Sequence, residues 1–159
     1  MKINKILKNT LLVVIACFAL SACATKKVST SQMQSDVYTG TDTVEFLANG
    51  VPDRVFFATN KSSLTTRSRD TLRKQATYLR KNKDLTVTIE GHADERGTRE
   101  YNLALGERRA NAAKDYLMTY GVSGKRISVI SYGKEKPVNP ASSPLAWSQN
   151  RRSVTIKAN

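Results

Sequence analysis

The chain has 159 residues, enough for one domain with additional segments. Hydrophobic residues make up 40% of it, which is ordinary for a globular protein and too little for a protein with several membrane-spanning helices. The net charge of +13 is compatible with binding to nucleic acid, to an anionic membrane surface or to an acidic wall polymer. The charge alone does not distinguish among these partners. Both cysteines lie in the first 23 residues, so the rest of the chain has no disulfide and no cysteine metal site. The chain has a single histidine, which excludes a metal site with several histidines from one chain.

The N-terminus has the pattern of an export signal. Three lysines lie among the first eight residues, and residues 11–20 form an apolar run of ten. A membrane span takes about 20 apolar residues, so this run instead fits the core of a secretory signal. The small residues Ser21 and Ala22 precede Cys23, as in the bacterial lipobox, where the cysteine is acylated and becomes the mature N-terminus. This resemblance predicts a signal peptide at 1–22 and a lipid anchor on Cys23, rather than an ordinary signal peptide and a chance cysteine.

A polar segment follows the cysteine. Residues 24–50 are rich in Ser, Thr, Gln, Asn and Asp without a sustained period, which predicts mostly a flexible tether. The run 44–47 is apolar enough to dock on a domain, so we assign a lipidated tether to 23–42 and the folded domain to 43–159. Residue 24 is Ala rather than Asp, which in the lipoprotein sorting of many Gram-negative bacteria suggests the outer membrane, with the domain facing the periplasm.

The domain begins with a strand, a helix and a second strand. A short strand is predicted at 54–58, and Thr65 or Thr66 can cap a helix that runs to about residue 81. The alternation of residues 85–90 is typical of a strand with one buried face. The buried stripe of the helix is predicted to be Leu72, Ala76 and Leu79, opposite a basic face that is either solvated or attracted to anionic wall or lipid.

A longer helix and two strands complete the predicted fold. The helix spans about 98–120, with Gly121 placed to end it. A strand at 126–132, a loop at 133–147 and a last strand at 152–157 follow. This order predicts an α+β sandwich with two main helices packed on one face of a small mixed β-sheet. The predicted buried positions of the longer helix are Leu103, Gly106, Ala110, Ala113, Leu117 and Tyr120.

Polar residues concentrate where the second strand meets this helix. Asp94 lies in the charged loop 91–97, and Asn102 and Arg109 are seven residues apart, on one face of the helix. A carboxylate, an amide and a guanidinium at one junction suit a zwitterion, whose ammonium meets the carboxylate and whose carboxylate meets the guanidinium. The alternatives are that Asn102 braces the loop instead, and that Asp94 forms a local salt bridge with Arg96, Arg99 or Arg109.

Three segments carry a resemblance to a known family. GHADERGTREYNLALGERRA at 91–110, SYGKEKP at 131–137 and NRRSV at 150–154 resemble the OmpA-like peptidoglycan-binding domain, over roughly 43–159. The resemblance implies that Asp94 and Arg109 bind diaminopimelate of the peptidoglycan stem peptide, so that alanine at either is expected to remove wall binding and leave the fold intact. It also implies that the backbone at Ala58 and Thr59 holds the diaminopimelate carboxylate.

The same resemblance implies a function. It implies a non-catalytic lipoprotein that tethers the outer membrane to peptidoglycan, with TolB and other Tol proteins as partners and a role in outer-membrane invagination at division. Relatives usually carry an acid in the turn after the first strand, where this chain has Asn60. The runner-up is a cationic binder of nucleic acid or lipid head groups, although export argues against nucleic acid; an envelope hydrolase is a third possibility.

Metal binding and catalysis find little support in the residues. Glu90, His92 and Asp94 alternate, but one histidine and two acids are a thin ligand set, so we expect no metal and interpret His92 as a structural hydrogen-bonding residue. A nucleophilic triad needs a base held by a third group, and the chain has neither a Gly-x-Ser-x-Gly elbow nor a phosphate-binding glycine loop. We therefore predict that the protein is not an enzyme and binds no cofactor.

Overall fold

A computed structural model describes residues 36–158 of the chain. The predicted signal peptide, the lipidated Cys23 and most of the tether lie outside the described residues. In chain order the elements are β1 (Phe46–Ala48), β2 (Val51–Pro52), β3 (Arg54–Phe56), α1 (Thr66–Lys81), β4 (Thr86–His92), α2 (Arg99–Thr119), a 3-10 turn (Gly124–Arg126), β5 (Ile127–Gly133), α3 (Pro144–Asn150) and β6 (Arg152–Ala158).

Four of the strands form one mixed sheet, in the spatial order β3, β6, β4, β5. β4 and β5 run parallel, whereas β6 is antiparallel to both of its neighbours, β3 and β4. β3, β4 and β5 therefore all end at the same edge of the sheet, which we call the C-terminal edge, and β6 begins there. β1 and β2 pair with each other in a separate hairpin.

The two long helices pack against one face of this sheet. Val87 and Ile89, which alternate along β4, lie in the same apolar core as Leu72 and Leu79 of α1 and Leu117 of α2. This confirms the predicted arrangement of two main helices on a small mixed sheet. Among residues 36–158, none of the helices has the length and apolar character needed to cross a membrane.

Both long helices begin where the sequence places a capping residue. Thr65 accepts a hydrogen bond from the Ser68 amide at 3.1 Å, and Thr98 accepts one from the Tyr101 amide at 3.2 Å. Each bond satisfies one of the free N–H groups of a helix start. α2 ends before Gly121, whose φ of +83° favours glycine.

A close approach of two glycines joins β4 to α2. A Cβ atom on Gly91 would lie 1.9 Å from the carbonyl oxygen of Gly106, so only glycine fits there. The backbones of strand and helix are thus in direct contact. This contact brings the loop that follows β4 against the face of α2 that carries Arg109.

The buried face of α2 differs from the prediction. Tyr120 was predicted to be buried but is 37% exposed, because it caps the helix and stacks on Tyr116 at the surface, with ring centroids 5.0 Å apart. Leu103, also predicted to be buried, is half-buried, and Leu105 is buried instead. The polar residues Asn102 and Arg109 also lie on the buried face, where they bond to the loops at the C-terminal edge.

Two segments are more ordered than the sequence predicts. Pro144 to Trp147, predicted as loop, belong to α3, which begins with proline at its first position and is capped by a hydrogen bond from the Ala146 amide to Ser143. Residues 36–42, assigned to the tether, contact the domain: Val37 and Tyr38 are buried and pack with Phe56. The packed part of the chain thus begins before residue 43.

Candidate functional site

Four segments meet at the C-terminal edge of the sheet. They are the turn after β3, the loop after β4, the buried face of α2 and the junction of α3 with β6. Their meeting follows from the topology, since three strands end at this edge and the fourth begins there. The sequence-predicted residues Ala58, Thr59, Asp94, Asn102 and Arg109 all lie on these segments.

Arg109 is fully buried and holds three backbone carbonyls. Its Nε donates to the oxygen of Lys61 at 2.9 Å, its Nη1 to that of His92 at 2.8 Å, and its Nη2 to that of Ala58 at 3.1 Å. The guanidinium also lies over the ring of Phe57, 5.3 Å from the centroid. One side chain of α2 therefore fastens the turn after β3 to the end of β4.

The charge of Arg109 has no carboxylate beside it among the described residues, where none of the ion pairs includes this side chain. Burial, and next the charge of Arg151, lower its pKa to about 10, while Asp94 acts in the opposite direction. The guanidinium remains protonated at neutral pH. A buried cation of this kind attracts an anion from solution.

Asp94 pairs with two arginines other than Arg109. Its Oδ1 accepts the Arg96 amide at 3.2 Å and the Arg96 Nε at 3.1 Å. Its Oδ2 accepts the Arg96 Nη2 at 2.7 Å and the Arg151 Nη1 at 3.3 Å. Burial by itself raises the pKa of Asp94, but the bonds from Arg96 and Arg151 outweigh it and hold the pKa below its usual value. The structure does not bring Asp94 and Arg109 into direct contact; Arg151 lies beside both.

Arg151 is a further residue of this edge, which the sequence analysis did not assign to the site. It is 3% exposed, and its Nε donates to the carbonyl oxygen of Phe57 at 3.1 Å. Its backbone carbonyl in turn accepts the Phe57 amide at 2.9 Å. Its signals in the sequence were its place just before the last strand and its position in the segment 150–154 that resembles the family. Because β6 pairs with β3, that place puts its guanidinium between the turn after β3 and Asp94.

The turn after β3 presents polar backbone at this edge. The Thr59 amide donates to the carboxylate of Asp36 at 2.6 Å, and the Thr59 hydroxyl accepts from the Arg96 Nη2 at 3.4 Å. Asn60 follows with a φ of 55°, a left-handed conformation that asparagine tolerates better than most residues. Asn60 thus turns the chain so that the Lys61 carbonyl meets Arg109.

Asn102 braces the loop after β4, as one of the two interpretations of its sequence position expects. It is 1% exposed, and its Nδ2 donates to the carbonyl oxygen of Arg96 at 2.9 Å. The loop is also fixed from outside, because the Trp147 indole donates to the carboxylate of Glu95 at 2.8 Å. The guanidinium of Arg96 stacks on the same indole, 4.3 Å from the ring centroid.

A groove with a volume of about 580 Å³ opens at this edge. Thr59, Arg96, Arg151 and Trp147 line it together with residues 36–40. Asp94 and Arg109 are not part of the lining, and they are 6% and 0% exposed. The groove therefore presents cationic groups and a backbone donor, with the two predicted residues buried next to it.

His92 is neutral and packed. Burial, followed by the charges of Arg152, Lys136 and Arg54, lowers its pKa to about 3. Its ring stacks on Tyr132 with centroids 5.6 Å apart, and neither ring nitrogen has a hydrogen-bond partner in the described part of the chain, so the expected hydrogen bond is not found. Within residues 36–158, no group of three or more His, Cys, Asp or Glu side chains is arranged to hold a metal ion.

Comparisons with known proteins agree with this fold. The OmpA family model matches residues 56–151. A peptidoglycan-associated lipoprotein of Rhizobium meliloti is 44% identical over 161 residues, which span 98% of this chain and 91% of the relative. One of Mesorhizobium japonicum is 42% identical over 97% of this chain and 95% of the relative.

Solved structures show the same fold. The peptidoglycan-associated lipoprotein of Burkholderia pseudomallei superimposes with a TM-score of 0.65 at 37% identity, covering 67% of this chain and 90% of that one. The C-terminal domain of Helicobacter pylori MotB gives a TM-score of 0.63 over 67% of this chain and 84% of that one, but at 21% identity it shows the fold alone.

The fold defines the class of protein as an OmpA-like domain. It has two long helices packed on a sheet with the strand order β3, β6, β4, β5, and a buried arginine at the C-terminal edge. The chain belongs to the OmpA family and, within it, to the peptidoglycan-associated lipoproteins.

Proposed function

We propose that the chain is a non-catalytic outer-membrane lipoprotein that binds peptidoglycan without a covalent bond and tethers the outer membrane to the wall. Its relatives are named for their association with peptidoglycan. The sequence pattern before Cys23 supports export and acylation at that residue, and the Ala at position 24 supports the outer membrane, with the domain in the periplasm. Three acyl chains on Cys23 exceed the two signals that stable anchoring takes.

The observation that carries the proposal is the meeting of opposite charges and a backbone donor at the C-terminal edge. Asp94, Arg151 and the Thr59 amide lie within one hydrogen-bonded cluster, next to the buried charge of Arg109. The free end of diaminopimelate carries an ammonium and a carboxylate on one carbon. A site with both signs of charge is complementary to such a group.

Each site residue takes a role in this proposal. Asp94 binds the ammonium in place of Arg96, whose side chain is 41% exposed and leaves Asp94 and the Trp147 indole when the ligand binds. The Thr59 amide and Arg151 bind the carboxylate. Arg109 adds positive charge and has two of its five N–H donors left after its three backbone bonds. The Ala58 carbonyl, bonded to Arg109, and Asn102, bonded to Arg96, hold the turn and loop in place.

The mechanism is mechanical. One chain joins two anchors, the lipid on Cys23 and the wall-bound domain. Once the lipid is in the membrane, the domain meets the wall at a raised effective concentration, so a modest affinity suffices. We further propose membership of the Tol–Pal system, with TolB and other Tol proteins as partners, and a role in envelope integrity and outer-membrane invagination at division.

The test is co-sedimentation of the chain with purified peptidoglycan. Asp94→Asn removes the charge that meets the ammonium and is expected to abolish co-sedimentation. Asp84→Asn is the matched control, because it makes the same change at an exposed position before β4, at the far end of that strand. Circular dichroism checks that both variants are folded. Undiminished binding by folded Asp94→Asn would rule out the assigned site.

A salt titration tests the runner-up. A cationic surface that binds any polyanion loses affinity steeply as salt rises and makes no stereochemical choice. We expect binding to walls that contain diaminopimelate to exceed binding to walls that contain lysine at every salt concentration. Equal binding to both, lost at moderate salt, would favour the cationic binder.

A further inference from the structure

The segment that leads into the domain is docked across the C-terminal edge. We call residues 36–42 the strap. Val37 and Tyr38 are 9% and 7% exposed, and the Tyr38 ring meets that of Phe56 edge to face at 4.8 Å. At the other end, the carboxylate of Asp42 accepts a hydrogen bond from the Gln149 Nε2 at 3.0 Å. The strap is therefore held by apolar and polar contacts along its length.

Asp36 occupies the donors that the proposed function assigns to a ligand carboxylate. Its Oδ2 accepts the Thr59 amide at 2.6 Å and lies 3.8 Å from the Arg151 Nη2, which also donates to the Asp36 backbone carbonyl. Burial by itself raises the pKa of Asp36, but the bond from Thr59 and the charge of Arg151 outweigh it and keep the pKa below its usual value. The group is thus an anion bound in an anion-binding position.

A cation of the same chain occupies the complementary position. The Arg96 guanidinium binds the carboxylate of Asp94 at 2.7 Å, where the proposed function places a ligand ammonium. Asp36 and Arg96 together therefore present one negative and one positive group to the site. This is the charge pattern of a zwitterionic amino acid, supplied from within the molecule.

We propose that the strap is an intramolecular competitor for the wall-binding site, and that Asp36 must leave the Thr59 amide before a ligand carboxylate can bind. This inference rests on the proposed function. The domain then has a closed state, with the strap docked, and an open state that binds. The apparent dissociation constant exceeds the intrinsic one by the inverse of the open fraction.

The expected size of the effect follows from the exposure of Asp36. Its side chain is 41% exposed, so its ion pair with Arg151 is partly screened and the closed state is favoured only moderately. An open fraction of roughly 10–30% would weaken binding by about three- to tenfold. Removal of the charge of Asp36 should therefore tighten binding by the same factor, about three- to tenfold.

The experiment compares Asp36→Asn with the unaltered protein, using the whole chain in detergent micelles. Affinity for a soluble stem-peptide fragment that contains diaminopimelate is measured by isothermal titration calorimetry. Asp115→Asn is the matched control, with the same charge change at an exposed position on α2. We expect Asp36→Asn to bind roughly three to ten times more tightly and Asp115→Asn to bind as the unaltered chain does.

Each other outcome has a defined meaning. Equal affinity of the unaltered chain and Asp36→Asn would overturn the strap proposal and leave the proposed function standing. Weaker binding by Asp36→Asn would also overturn it, because Asp36 would then assist in holding the ligand. If neither protein binds, the proposed function and the strap proposal both fall.

A second measurement follows the strap itself. In the unaltered chain, the Thr59 amide should be protected from hydrogen exchange by its bond to Asp36, and Asp36→Asn should reduce that protection. Addition of the fragment to the unaltered chain should shift the amide resonances of residues 37–40 as the strap leaves. Unchanged strap resonances at saturating fragment would contradict displacement.

Discussion

Replacement of Arg109 by alanine should destabilise the fold as well as the site. A residue devoted to ligand could be removed without harm to the domain, as the sequence alone suggests for Arg109. In the structure, however, its guanidinium donates at 2.9 Å to Lys61, at 2.8 Å to His92 and at 3.1 Å to Ala58, in all cases to backbone carbonyls. Removal of the side chain leaves those acceptors without this donor.

The magnitude can be estimated from these contacts. A hydrogen bond from a charged donor contributes about 1.5–3 kcal/mol. The total is smaller than three such terms, because the Ala58 oxygen keeps a bond from the Lys61 amide at 3.2 Å and because the buried charge disappears along with its bonds. We expect a loss of roughly 3 kcal/mol in the free energy of unfolding.

Urea denaturation followed by circular dichroism measures this loss. With a slope of about 1–3 kcal/mol per molar urea, the midpoint of Arg109→Ala should fall by roughly 1–3 M. Arg108→Ala is the control, because Arg108 is the exposed neighbour on the same helix and should change stability by less than about 0.5 kcal/mol. Identical midpoints for the two variants would refute the structural role of Arg109.

Two further predictions concern pH and the lipid anchor. The pKa of His92 is about 3 in the folded state against 6.5 as the ordinary value, so the unfolded chain binds more protons between those limits. The free energy of unfolding should therefore fall as the pH drops from about 6 to 4.5, by at most about 1.4 kcal/mol per pH unit. In urea titrations at several pH values, His92→Phe should remove most of this pH dependence. An unchanged pH dependence in His92→Phe would contradict the assignment to His92. Cys23→Ala should leave the protein unacylated and released from membranes upon fractionation, whereas Cys17→Ala should stay membrane-bound; retention of the Cys23 variant would count against the anchor.

Much of the fold follows from local patterns. The alternation of residues 85–90 predicted β4, and the spacing of Leu72, Ala76 and Leu79 predicted the buried stripe of α1, because strand and helix periods are properties of the local backbone. The sequence left Thr65 or Thr66 as the cap of α1 and placed the start of α2 near residue 98, and the structure has Thr65 and Thr98 as the capping residues. The pattern did not show α3, which is only seven residues long and follows a proline-rich loop.

The segment 91–110 likewise indicated the family. The resemblance also predicted Asp94 and Arg109 as members of one site, which stays a prediction. Their partners could not be found this way. Arg151 is 57 residues from Asp94, and Lys61 is 48 residues from Arg109. No local period relates such positions.

The sequence by itself therefore determined the two long helices and the four strands of the main sheet, and which loop carries the charges. Only the tertiary structure decided that Arg151 rather than Arg109 pairs with Asp94, that Arg109 holds backbone, and that Asp36 reaches the Thr59 amide. These contacts depend on strand order and direction, because β3, β4 and β5 end at the edge where β6 begins. Strand order is a property of the packed chain as a whole, and it brings together polar groups that no stretch of sequence holds in common.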